Sequence, residues 1–309
     1  MTAPALVYYD RETGSFRTEK VYARGFLHWL YNARGGGLLA WLLVGTPLPS
    51  RLWGALQRTR WSARRIPAFI ERMAIDMSES AQGIADFGSF QEFFVRRWRP
   101  GARPVCSEPG VLVAPADGKV LAYSRVDGRA RFRIKRALFD LEGLLGDDAL
   151  AATFAGGSLI VCRLALADVH HFQFPDSGTP GAPRVIPGRY HAGGPYAERG
   201  LVPFFAENHR MVTPFDADHF GPMAIVDVGA LTVGSIRQHF QPGAHVEKGD
   251  PKGWFELGGS TVVLLLREGA IELDADLCAL TAREIECFVR MGRPLGRRVA
   301  GHGLRGEER

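Results

Sequence analysis

Residues 258 to 266 read GGSTVVLLL. Two adjacent glycines lack the Cβ that would forbid a sharp turn. The turn they make leads directly into a hydrophobic strand, Thr261 to Leu266. Runs of the same kind recur outward from this stretch at Val111-Leu112-Val113, Leu159-Ile160-Val161 and Met223 to Val228, separated by Gly and Pro. Helical spacing is confined to Ser89 to Trp98 (SFQEFFVRRW) and Ala137 to Leu145 within this region, and to roughly the first 75 residues, where Gly35-Gly36-Gly37 and Pro47-Leu48-Pro49 interrupt it. The pattern predicts an α+β fold. A β-rich body with a few helices occupies 76–309, and a helical N-terminal segment occupies 1–75.

The 309 residues, 46% hydrophobic and 23% charged, suffice for a large core and exclude disorder. Cys106, Cys162, Cys278 and Cys287 are all separated by nine residues or more, so neither a CxxC pair nor a dense disulfide framework is present, and reduced thiols are expected. The N-terminus lacks the order of a signal peptide, and the apolar stretch from Gly35 to Thr46 is shorter than the roughly 20 residues a spanning helix needs.

The net charge of +5 is unevenly distributed. Lys20, Arg24, Arg34, Arg51, Arg58, Arg60, Arg64 and Arg65 lie between Lys20 and Ile70 with no Asp or Glu among them, so the rest of the chain is net negative. Trp29, Trp41, Trp53 and Trp61, four of the six tryptophans, share this window with many leucines. Arginine and tryptophan on a Leu-rich helical segment predict an amphipathic anchor lying on an anionic phospholipid membrane, the alternative on composition being a helical hairpin folded onto the core with solvated arginines. Nucleic acid would use the charge but not the aliphatic surface, and is not expected as a partner.

Several motifs carry no chemistry. Gly229 to Ser235 (GALTVGS) lacks the lysine of a phosphate-binding loop. His170 and His171 are adjacent, point to opposite faces of any strand, and have no third ligand nearby, so no metal is expected. Gly258 to Val262 fails the GxSxG elbow. More is promised by the set of Asp117, His170 and Ser260, each on a Gly- or Pro-bounded turn beside a strand, since acid, imidazole and hydroxyl together make an activated nucleophile.

These pieces belong to a longer series. Phe87-Gly88-Ser89-Phe90, Phe93-Phe94-Val95-Arg96, Pro100 to Pro104 (PGARP), Pro115 to Val120 (PADGKV), Asp168-Val169-His170, Glu207-Asn208-His209-Arg210, Phe220-Gly221-Pro222, Val228-Gly229-Ala230, Lys248-Gly249-Asp250, Gly258-Gly259-Ser260-Thr261 and Met291-Gly292 follow one another in order. In this the chain resembles the phosphatidylserine decarboxylase family. The resemblance implies a pyruvoyl-dependent carboxy-lyase that converts phosphatidylserine to phosphatidylethanolamine and CO2 at a membrane. Decarboxylation at an amino acid's Cα needs an electron sink that ordinary side chains lack. By resemblance, the Ser260 hydroxyl attacks the Gly259 carbonyl, and elimination then cuts the chain between Gly259 and Ser260, leaving a pyruvoyl group that condenses with the substrate amine. The large and small chains are expected to stay associated. A homodimer is left open, and the protein is expected to be peripheral on the cytoplasmic face. His170 is implied in the decarboxylation step, and an imidazole oriented by Asp117 in activating Ser260.

One position departs from the pattern. Where the family has a second histidine, tied to self-cleavage, this chain has Gln173, which cannot take a proton at neutral pH. His170 or His171 is then expected as the processing base. Two other readings remain open on sequence: a lipid-binding relative that is not cut, and a serine hydrolase built on Asp117, His170 and Ser260.

Overall fold

The structure, a computed structural model, describes residues 6–20, 47–126, 132–134, 137–189, 207–230, 236–257 and 260–300. The expected helices between residues 21 and 46 lie outside them. In chain order the strands are β1 Val7–Asp10, β2 Ser15–Thr18, β3 Val111–Val113, β4 Gly118–Tyr123, β5 Phe132–Ile134, β6 Ala137–Phe139, β7 Ser158–Leu164, β8 His171–Gln173, β9 Gly178–Pro180, β10 Arg184–Ile186, β11 Arg210–Ala217, β12 Gly221–Gly229, β13 Ile236–Gln238, β14 Pro251–Phe255, β15 Ser260–Leu266, β16 Ile271–Leu273, β17 Glu286–Val289 and β18 Pro294–Arg298. Among the described residues six α-helices join them: α1 Pro47–Gln57, α2 Ile66–Met73, α3 Phe90–Phe94, α4 Leu141–Leu145, α5 Asp148–Phe154 and α6 Ala275–Ala282.

The VVLLL run is explained by its place. β15 lies in the middle of a ten-stranded sheet of order β10-β11-β12-β15-β7-β4-β17-β1-β2, with β9 also on β11, and all its residues are buried. Its odd-numbered residues meet Leu141, Leu144 and Leu145 of α4 and Phe154 of α5. Its even-numbered residues meet a second layer built from α6 and two three-stranded sheets, β13-β14-β8 and β16-β18-β3, through Phe172, Phe255, Leu273 and Leu295. Helices, main sheet and small sheets thus form three layers. Strands in the middle layer need apolar side chains in both directions.

Three expectations about helices are corrected. Residues 7–18, expected to be helical, form the β1–β2 hairpin, turned at Gly14 (φ +65°) and added to the main sheet by parallel pairing of β1 with β17. The Arg163 guanidinium fixes its exit, bonding Glu286 at 2.7 Å and Glu19 at 2.7 Å. The stretch 137–145 is a strand followed by a helix, because the Asp140 side chain caps the Gly143 N–H and starts α4 only at Leu141. α3 also stops at Phe94, since residues 97–99 pair with 79–81 instead. Finally, the boundary expected near residue 75 runs through a packed cluster. Ile66, Phe69 and Met73 of α2 join Phe90, Phe93 and Phe94 of α3 and Leu257 in one apolar core.

Candidate active site

Ser260 opens β15, opposite Gly229 of β12 and Leu164 of β7. Side chains directly opposite in an antiparallel pair share a face, so Ser260 looks, with Leu164 and Val262, toward the small-sheet layer. It is 1% exposed, and its Oγ has no hydrogen-bond partner among the described residues. A buried hydroxyl left unmatched costs about 1–3 kcal/mol, a price seen where chemistry rather than stability sets the residue. Gly258 and Gly259 lie outside the described residues. The segment leading to them is held by the Phe255 N–H on the His170 carbonyl at 2.9 Å and by the Leu257 N–H on Gln91 Oε1 of α3 at 3.0 Å.

His170 is fully buried, its ring tilted over Phe94 at 3.9 Å between centroids. Its Nδ1 is 2.9 Å from the Asp168 carbonyl, which only accepts, so Nδ1 carries the proton and Nε2 is the free lone pair. Nε2 has no partner among the described residues. Burial drives the imidazole pKa down to about 3, so the ring is neutral. Asp168 is itself fixed, its Oδ2 receiving the Lys119 ammonium at 2.8 Å and the Ala165 N–H at 2.8 Å. His171 donates Nε2–H to the Val95 carbonyl at 2.9 Å and lies beside Trp254, with burial lowering its pKa.

Asp117 does not orient an imidazole. Its carboxylate takes Arg103 Nε at 2.9 Å, Arg103 Nη2 at 2.8 Å and the Met291 N–H at 2.7 Å. Arg103 is clamped in turn by Glu79 and lies over the Trp98 ring at 3.8 Å. A bidentate guanidinium is the stronger partner for a carboxylate, and it occupies the oxygens a histidine would need. With His170 satisfied by backbone, the acid–imidazole–serine relay is not assembled among the described residues, and nothing favours the hydrolase reading. Gln173, the last residue of β8, is buried, its Nε2 donating to the Ala114 carbonyl at 3.3 Å.

A further group was missed by the sequence reading. Asp227 of β12, Lys252 of β14 and Gln238 of β13 form a polar cluster between the layers. Lys252 Nζ and Gln238 Nε2 both donate to Asp227 Oδ2, the latter at 2.7 Å, and Nζ also reaches Gln238 Oε1 at 3.1 Å. Asp227 and Lys252 are 0% exposed, and burial lowers the lysine pKa. The signal was visible, since a single acid interrupts the apolar run MAIVDV at 223–228, where only a partnered charge is tolerated.

Comparison with known proteins matches residues 90–297 to the family model described as phosphatidylserine decarboxylase. The chain is 40% identical over 300 residues to the phosphatidylserine decarboxylase proenzyme of Chlamydia trachomatis serovar L2, covering 97% of this chain and 100% of the relative. The proenzyme of the same name from Chlamydia felis is 39% identical over 292 residues (94% of this chain, 98% of the relative), and that from Clostridium beijerinckii 35% over 291 residues (94% and 98%). With most of its length matched both to the family model and to relatives of this identity, the chain belongs to the phosphatidylserine decarboxylase family.

Proposed function

We propose that this protein removes the carboxyl group of phosphatidylserine, releasing phosphatidylethanolamine and CO2, and that it makes its own cofactor by self-cleavage at Ser260. The observation that carries this reading is the Ser260 hydroxyl, buried and unmatched at the head of a central strand directly after two glycines. That residue fits a pyruvoyl group, because its position places a backbone-derived ketone in a water-poor layer next to the immobilised His170 segment. When formed, the ketone supplies the sink for the electron pair freed as CO2 departs.

The chain's own residues supply positioning and proton handling. The Asp168 carbonyl locks the His170 tautomer, so Nε2 is the atom that holds or delivers a proton. Phe94 fixes the ring plane and excludes water from it. An anion arriving beside the ring raises its affinity for a proton, and the substrate's carboxylate and phosphate are such anions. Intact-mass spectrometry tests the reading. The expected products are a piece of residues 1–259 and one of 260–309, the second blocked to Edman sequencing. Active preparations containing only full-length chain would overturn it.

The substrate's solvent is a bilayer, and α1 with the turn Arg60–Arg65 suits its surface. Leu52, Trp53, Leu56 and Trp61 are exposed there, alongside exposed Arg60 and Arg64. No helix among the described residues is long and apolar enough to cross a membrane. The exposed apolar and basic side chains of this stretch support peripheral attachment, which we place on the cytoplasmic face. Combining Trp53→Glu, Leu56→Glu and Trp61→Glu is expected to reduce partitioning onto anionic vesicles by at least about tenfold, since one large apolar side chain contributes roughly 1.5–3 kcal/mol when fully withdrawn from water. Turnover of a short-chain, micellar substrate should fall less than turnover on vesicles. Sedimentation with vesicles equal to that of the unmodified protein would place these residues outside the contact.

A further inference from the structure

Self-cleavage lacks the second histidine that the family pattern ties to it. A serine hydroxyl is a weak nucleophile at neutral pH and needs a proton acceptor. Gln173 cannot be one, His171 alternates with the core-facing Phe172 and so points away from Ser260, and Asp117 is saturated by Arg103 and the Met291 N–H, which leaves the unpartnered His170 Nε2 as the competing acceptor.

The strand next to β15 offers another acceptor. Asp227 stands opposite Val262 and Gly229 stands opposite Ser260, so Asp227 and Ser260 occupy diagonal positions on one face of neighbouring strands. Diagonal neighbours of this kind are roughly 7–8 Å apart at the backbone, within reach of a carboxylate and a hydroxyl directly or through one water. Gly229 contributes no side chain that would separate them. Lys252 and Gln238 both bond Asp227 Oδ2. Oδ1 is buried and without a partner among the described residues, as is Ser260 Oγ. One strand therefore presents an unmatched acceptor and its neighbour an unmatched donor, on the same face, in a layer without bulk water.

We propose that Asp227 is the base that takes the Ser260 hydroxyl proton in self-cleavage. The inference rests on the self-cleaving reading above. The proton passes from Oγ to Asp227 Oδ1 as Oγ bonds to the Gly259 carbonyl carbon. The C–N bond between Gly259 and Ser260 then breaks, and the same proton is delivered to the departing nitrogen, so the carboxylate is regenerated and an ester replaces the amide. No oxidant or other reactant enters this step. Lys252 holds Asp227 in place and balances its charge in a site away from water.

The test follows the disappearance of full-length chain during cell-free synthesis. Asp227→Asn is expected to slow processing by on the order of 10²-fold or more, the usual contribution of a positioned base. Asp227→Glu, which restores a carboxylate, should be cut. Because Asp227→Asn leaves Lys252 buried beside a neutral group, the double variant Asp227→Asn/Lys252→Met, with no buried charge, is made alongside it and should also accumulate uncut. The proposal is overturned if a soluble variant lacking the carboxylate is cut at the unmodified rate, or if no such variant can be obtained both soluble and uncut. An unmodified chain that is never cut would instead remove the self-cleaving reading itself.

Discussion

Ser260→Ala is expected to yield a single 309-residue polypeptide with no measurable release of CO2. The substitution removes one oxygen that has no partner among the described residues, so the fold should not suffer. Deleting a buried, unmatched hydroxyl relieves a desolvation cost, and the melting temperature should stay level or rise. Thr261 does not substitute. Its side chain lies in the row of Arg163 and Lys119, on the opposite face of the sheet from Ser260. Both activities should therefore fail together in a protein that is demonstrably folded. A denaturing gel reads the cut, and trapping of labelled CO2 from carboxyl-labelled phosphatidylserine reads the chemistry. Residual CO2 release from the alanine variant would mean that the electron sink is something other than a group made at position 260.

His170→Asn should separate the two activities. Asparagine keeps an N–H for the Asp168 carbonyl and some of the volume against Phe94, while removing the nitrogen that can exchange a proton. The chain should still be cut, because processing is assigned to Asp227. Turnover by molecules already cut should drop by roughly 10²–10⁴-fold, the range expected when a proton-transfer group is lost. The loss should appear in kcat rather than KM, since the imidazole acts on the reacting atoms and not on the acyl chains. Intact-mass spectrometry of the same sample confirms that the pieces are present. Turnover within a few-fold of the unmodified enzyme would remove His170 from the chemistry.

Local signals and distant ones were unequally legible. The strand beginning at Ser260 was readable because its pattern is local and strong: two glycines, then apolar residues without alternation. The serine stood out for the same reason. The role expected of Asp117 was not legible, because its partner comes from a loop ending at Pro104, and nothing in PADGKV says that Arg103 will arrive before a histidine does. The β1–β2 hairpin was hidden by its shortness, and pairing with β17 nearly the whole chain away supplies what its four-residue strands lack. Asp227 was visible as a charge in an apolar run, but its pairing with Lys252 joins two different sheets, a relation that spacing along a chain does not record.

The position of β15 also bears on the order of events in the protein's lifetime. This strand, with β17 and β18, belongs to the last 50 residues, and it is inserted between β12 and β7 rather than added at an edge. The precursor must complete its sheet while still one polymer, since only then is Ser260 clasped on both sides. Once the backbone is severed, regaining the same sheet after denaturation is no longer a first-order process. It becomes an encounter between two molecules, each with an unfilled strand position, and its rate depends on dilution. Maturation thus acts as a ratchet: the mature enzyme is held in a state that its own fragments do not readily find again, and its durability is set by how slowly it opens rather than by an equilibrium it can revisit.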